Sequence, residues 1–234
     1  MKSIVFLSGW GYEPSLWQAL AGELSDHSLY TPSLSTGASD IDTWADLVAA
    51  EVPARSMIVA WSLGTLLALC LAQRHPGRVG SVLLVGATPC FVAKDDWAHG
   101  LDPQVFATFQ ENFTRDPFRT LRRFLALQVL GDSARSTLQP MLEPHLRTDH
   151  ASLPGLASGL RILASTDLRD RLPSVQVPCT LLHGKNDALI PIGAADYLHQ
   201  ALGGSRLITV DCAGHAPLFA SPDRLARLVR ECST

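Results

Sequence analysis

Short apolar runs broken by glycine, proline and serine recur along the chain, and several lead into stretches whose apolar residues return every three or four positions. Ile4 to Leu7 runs into Ser8-Gly9-Trp10-Gly11, after which Leu16, Trp17, Leu20 and Leu24 share one helical face. A weak strand follows over Ser28 to Leu34, then the Ser/Thr/Gly-rich Ser35 to Ser39, then a capped helix over Asp40 to Val52 with Trp44, Leu47 and Val48 inward. Met57-Ile58-Val59 reads as a strand, Trp61-Ser62-Leu63-Gly64 as a sharp turn, and Thr65 to Gln73, rich in leucine and alanine, as a helix. Ser81 to Ala87, Val177 to Leu182 and Arg206 to Val210 are further strands, and helical patterns follow the last two at Gly193 to Leu202 and Asp223 to Cys232.

Strands alternating with helices predict an α/β fold, a mostly parallel sheet of about six strands with helices on both faces. The rhythm changes between Cys90 and Pro178, where Asp102 to Asn112 and Pro117 to Leu130 are helical and no strand is convincing. The expected division is therefore a core from residues 1-90 and 172-234 and an inserted helical lid over 91-171. The first strand begins almost at Met1, so an additional N-terminal hairpin is not expected.

Composition narrows the function classes. With 234 residues, 47% of them apolar, the chain can bury the core of one domain. A net charge of −3 gives no global field favouring nucleic acid or an anionic membrane surface. The five cysteines, Cys70, Cys90, Cys179, Cys212 and Cys232, form neither a C-x-x-C pair nor a metal-ligand spacing, which points away from a disulfide framework and a zinc site. Ile4 to Leu7 is too short for a secretory apolar region, so a cytoplasmic location is expected. Ser56 to Gln73 carries no charge and approaches the length of a membrane span, but strand, turn and helix describe it better.

The turn at Ser62 carries candidate chemistry. A serine hydroxyl needs a base to take its proton and a rigid placement toward an electrophilic carbon. Ala60-Trp61-Ser62-Leu63-Gly64 fits the G-x-S-x-G elbow except that Ala60 stands for the first glycine. Asp187 follows the strand ending in Leu182-His183-Gly184, and His215 lies in Asp211-Cys212-Ala213-Gly214-His215 after the last strand. Ser62, Asp187 and His215 are then nucleophile, orienting acid and general base, delivered to one sheet edge in the chain order of α/β-hydrolases. Asp211, Asp167 and Asp170 are alternative acids; His183 is a second histidine, read as a satisfied polar residue at the strand end. The N–H groups of Trp10 and Leu63 are the candidate oxyanion donors, and Ser8 stands where such loops usually carry histidine.

The chain resembles the pimeloyl-acyl-carrier-protein methyl ester esterases of biotin synthesis through Gly9-Trp10-Gly11, Trp61-Ser62-Leu63-Gly64, Pro89-Cys90-Phe91 and Asp95-Asp96-Trp97. The likeness extends into the lid, through Arg123 to Gln128, Gly159 to Leu163 and Thr166 to Arg169. It implies hydrolysis of a carrier-bound methyl ester to methanol and a carboxylate, and substrate contacts from Trp10, Ser62, Leu63, Phe124, Leu125, Ala126, Leu127, Gln128 and His215. Trp10, Phe124, Leu125 and Leu127 are expected to line an apolar slot for the acyl chain. Carrier proteins are acidic, and Arg119, Arg122, Arg123 and Arg135 face only Asp132 within Pro117 to Arg135, so these arginines are the expected docking surface. No metal or organic cofactor is implied, and a monomer is expected. A broad short-chain carboxylesterase, a thioesterase, a lyase or C–C bond hydrolase, and a non-catalytic ligand-binding protein remain open, because fold and triad do not specify the bond broken.

Overall fold

The computed structural model describes residues 2–32 and 38–233. Six strands form one sheet: β1 (Ser3–Leu7), β2 (Ser28–Tyr30), β3 (Ser56–Trp61), β4 (Val79–Val85), β5 (Cys179–Gly184) and β6 (Arg206–Val210). The order is β2-β1-β3-β4-β5-β6, and every neighbouring pair is parallel. The helices are α1 (Gln18–Glu23), α2 (Ile41–Glu51), α3 (Leu63–Arg74), α4 (Pro103–Arg115), α5 (Pro117–Gln128), α6 (Arg135–Leu142), α7 (Leu153–Ser165), α8 (Ile192–Ala201) and α9 (Pro222–Cys232).

The two-residue period of a strand divides the sheet between two cores. Val5, Leu7, Ile58, Ala60, Val82, Leu84 and Leu181 face α2, α3 and α8, meeting Trp44, Val48, Leu66 and Leu198. Ile4, Phe6, Met57, Val59, Leu83, Val85 and Leu182 face α1 and α9, meeting Leu20, Leu225 and Val229. β3 is buried at every position, which explains a run without alternation between apolar and polar residues. Its neighbour α3 is buried from Leu63 to Ala72, so the uncharged stretch over Ser56 to Gln73 is a central strand and a central helix. Among the described residues no helix is long and apolar enough to cross a membrane.

The segment between β4 and β5 carries α4 to α7 and contributes no strand to the sheet. Two Asp-Pro steps punctuate it. Asp102 caps α4 by accepting from the N–H groups of Gln104 and Val105, and Asp116 caps α5 by accepting from that of Arg119. Pro103 and Pro117 occupy first-turn positions, where a missing N–H costs nothing.

Three sequence expectations are corrected in detail. Leu47, expected inward, is 43% exposed on α2, where Ile41, Trp44, Ala45, Val48 and Ala49 form the buried face. The first helical pattern opens as a tight 3₁₀ turn over Pro14–Trp17 before α1, because Pro14 sets the entry. β2 ends at Tyr30, and the expected continuation to Leu34 and the Ser35 to Ser39 connection reach into residues 33–37, outside the described residues.

Candidate active site

Ser62 sits between β3 and α3 with φ 55 and ψ −121, a conformation an L-residue adopts only when its surroundings enforce it. Its N–H donates to the carbonyl of Val85 in the adjacent strand at 3.0 Å, and its carbonyl accepts from the Thr65 N–H at 2.8 Å. Gly64 has no room for a side chain, since a Cβ there would overlap the Leu7 carbonyl. A Cβ on Gly9 would stand 3.1 Å from that of Ser62. Ala60 lies one register step inside β3, fully buried and paired with Leu7 and Leu84, so its methyl group is absorbed by the sheet and the turn forms without the first glycine.

Asp187 and His215 meet at the same edge. The turn after β5 makes Asp187 Oδ1 accept from the N–H groups of Leu189 and Ile190, at 2.9 and 3.0 Å. Its Oδ2 accepts from His215 Nδ1 at 2.7 Å. With the proton on Nδ1, the lone pair of Nε2 is free for general-base work. His215 is fully buried, and among the described residues Nε2 has no hydrogen-bond partner. The ring rests over Gly86, where a Cβ would come within 3.0 Å of it, and beside Trp61, whose Nε1 donates to the His215 carbonyl at 2.8 Å. Burial alone would raise the Asp187 carboxyl. The electrostatic pull and hydrogen bond of the His215 ring, the pull of His183 and the Ile190 N–H outweigh it, so the Asp187 carboxyl is held below its ordinary range, as a carboxylate.

The alternative acids lie elsewhere. Asp211 is exposed and pairs with Lys185 at 2.8 Å. Asp167 is held by Lys94 and Arg169, 2.7 and 2.8 Å away, where the chain returns to the sheet. His183 is more than a strand-end residue: it is buried, its Nε2 donates to the Ile190 carbonyl at 2.9 Å, and the same nitrogen lies 3.5 Å from Asp187 Oδ2. Burial pushes its pKa down, which keeps it neutral and fit to brace the Asp187 turn.

The N–H of Leu63 belongs to the first turn of α3, where backbone donors lack intrahelical acceptors. Trp10, fully buried, is fixed from the segment between β4 and β5: Nε1 donates to the Leu156 carbonyl at 2.8 Å, and Phe109, Phe113 and Phe124 meet the indole edge-on at 5.3 to 5.5 Å. Gly159 on α7 passes so close that a Cβ would stand 2.7 Å from the indole and 3.2 Å from the Leu63 side chain. Ser8 accepts from Trp17 Nε1 at 2.9 Å and so ties the start of this loop to the first helical turn.

α5 corrects the expected acyl-chain lining. Leu121 and Phe124 face the core that holds Trp10 and Leu63, whereas Leu125 and Val129 face the opposite core with Tyr12 and Trp61. Leu127 points outward and is 43% exposed, and Ala126 is half-buried. At 3.6 residues per turn Leu127 falls on the flank shared with Arg123, so the four side chains cannot form one wall. Gln128 is fully buried; its Oε1 accepts from the Tyr12 hydroxyl at 2.5 Å, and its Nε2 has no hydrogen-bond partner. Arg119, Arg122, Arg123 and Arg135 are all exposed, and none is in an ion pair with a described carboxylate. Among the described residues no group of three histidine, cysteine or carboxylate side chains is placed to hold a metal ion.

Residues 4–228 match the model of the alpha/beta hydrolase family. The chain is 38% identical to a pimeloyl-[acyl-carrier protein] methyl ester esterase of Aromatoleum aromaticum, over 97% of this chain and 96% of that one. It is 35% identical to the protein of the same description from Nitrosomonas europaea, over 94% and 91%. An esterase from Exiguobacterium antarcticum shares the fold with a TM-score of 0.82 at 19% identity, covering all of this chain and 92% of the other. With a strained serine elbow, a buried Asp-His pair and these relatives, the chain belongs to the alpha/beta hydrolase family and, within it, to the pimeloyl-[acyl-carrier protein] methyl ester esterases, and it is a carboxylic ester hydrolase.

Proposed function

We propose that this enzyme hydrolyses the methyl ester of pimeloyl-acyl-carrier protein in biotin synthesis through an acyl-enzyme on Ser62. The observation that carries the site assignment is the buried 2.7 Å bond from His215 Nδ1 to Asp187, which leaves Nε2 as base at the sheet edge where Ser62 is presented. His215 takes the Ser62 proton as Oγ attacks the ester carbon, and the N–H groups of Leu63 and Trp10 receive the developing oxyanion. Collapse expels methanol, which takes its proton from His215. A water deprotonated by His215 then attacks the acyl-enzyme, and Ser62 leaves with the proton returned, releasing the free carboxylate.

In this reading residues 91-171 form a lid on a core of 1-90 and 172-234. Trp10 and Phe124 contact the acyl chain, and Gln128, whose amide nitrogen is unpartnered, supplies a donor within the lid. Arg119 and Arg123 lie on the outer face of α5 with the exposed Leu127 one turn further on, a basic strip with an apolar end. Arg122 and Arg135 widen it. Such a strip suits an acidic carrier domain on an enzyme whose net charge is −3. The enzyme acts as a monomer in the cytoplasm without a metal or organic cofactor. Turnover of the carrier-bound ester against free dimethyl pimelate tests the substrate assignment. Strong preference for the carrier-bound ester, weakened in an Arg119→Ala/Arg123→Ala variant, supports it; equal use of both by both proteins leaves a general esterase.

A further inference from the structure

His215 is carried on a loop after the last strand, yet much of what holds that loop lies in the inserted segment. The His215 N–H donates to the Gln128 carbonyl at 3.1 Å, and the Gly214 N–H donates to Asp132 Oδ2 at 2.9 Å. The Cys212 carbonyl accepts from the Ser133 N–H at 2.8 Å. The core contributes the Asn186 N–H to the Ala213 carbonyl at 2.9 Å and Trp61 Nε1 to the His215 carbonyl. Contact is close enough that a Cβ on Gly214 would stand 2.8 Å from the Leu130 carbonyl and 3.2 Å from that of Gln128.

The inserted turn is itself pinned. Asp132 Oδ1 accepts from the Ala134 N–H at 2.7 Å, at the start of α6. The Gly131 carbonyl accepts from Asn186 Nδ2 at 3.1 Å, one residue before Asp187. The Gln128 carboxamide accepts from the Tyr12 hydroxyl; the Tyr12 ring packs tilted against Trp61, which in turn lies against His215. Tyr12 follows directly on the Trp10 loop, so this chain of contacts joins the candidate oxyanion loop to the base.

We propose that Asp132 and Gln128 are positioning residues for the general base: the turn after α5 sets the register of the His215 loop and so the direction of Nε2. The proposal rests on the triad reading. Displacing a catalytic group by about 1 Å can cost about a hundredfold in rate, and Asp132→Ala leaves the Gly214 N–H without its acceptor. For free dimethyl pimelate, Asp132→Ala should lower kcat by about ten- to a hundredfold with KM changed less than about twofold, and shift the pH profile of kcat/KM. Asp132→Asn, whose single amide oxygen can accept from Gly214 or from Ala134 but not from both, should recover only part of the loss. Gln128→Met, which keeps the backbone carbonyl but frees Tyr12, should cost less, about fivefold.

A fully active Asp132→Ala with an unshifted profile, or a loss confined to KM, overturns the proposal. If Asp132→Ala does not fold, unchanged kcat and pH profile in both Asp132→Asn and Gln128→Met overturn it instead. Ser62→Ala and His215→Ala measured alongside separate the two readings. If both are inactive while Asp132→Ala is unimpaired, only the positioning role fails; if either remains active, the triad assignment fails first.

Discussion

The proposed nucleophile and the proposed base are held in different ways. Ser62 is fixed chiefly by the core, through the Val85 carbonyl and the pinch of Gly64 against β1. His215 depends on residues 128–133 of the segment between β4 and β5, and the Trp10 loop depends on that segment too: the Arg147 N–H donates to the Gly11 carbonyl and the Glu13 N–H to that of His145, both at 2.8 Å. The first arrangement is therefore less exposed to changes in that segment than the second. Replacing this segment should disturb the proposed base and one candidate oxyanion donor more than the proposed nucleophile.

The largest test of this contrast lies on the base side. Asp187 Oδ1 is occupied by two backbone N–H groups, so Asp187→Asn must turn its amide nitrogen toward His215 and force the proton onto Nε2. A fall in kcat of about 10⁴ is expected, measured by single-turnover hydrolysis, with little change in thermal stability. On the nucleophile side, Gly64→Ala should destabilise the fold by about 1–3 kcal/mol, through overlap with the Leu7 carbonyl, and should slow labelling of Ser62 by a fluorophosphonate. Denaturant unfolding reads the first effect and labelling kinetics the second.

How much of this is legible in the sequence follows the same division. The strands, the elbow and the order of Ser62, Asp187 and His215 are visible because each is local: an apolar run, a turn residue, a polar side chain just after. Gly64 is visible for the same reason. The work of Asp132 and Gln128 is invisible, since their partners Gly214 and His215 lie more than eighty positions away and no local pattern marks the contact. Leu125 and Leu127 are misassigned to one wall because apolar character on a helix bridging two cores does not say which core each residue enters. His183 is under-read because its role depends on the carbonyl of Ile190 across a turn.

Smaller effects sharpen the picture at the outer face. Arg119→Ala/Arg123→Ala should lower kcat/KM for the carrier-bound ester severalfold, about 0 to 1 kcal/mol per exposed charge, and leave the free ester unaffected. Raising the salt concentration should shrink the difference. Within the Asp187 turn, His183 is buried and its pKa lies below the ordinary 6.5, so the unfolded chain binds more protons just below that pH. The stability it confers is complete above about pH 6.5 and falls as the pH drops toward its folded value, by at most about 1.4 kcal/mol per pH unit. His183→Gln should flatten that part of a melting-temperature profile.

Methanol release from pimeloyl-acyl-carrier-protein methyl ester, followed for the unaltered enzyme and for Ser62→Ala, tests the central claim most directly. The unaltered enzyme should release one methanol per free carboxylate formed, and the variant should lose at least about 10⁴-fold in rate. Methanol released at an undiminished rate by Ser62→Ala would contradict it.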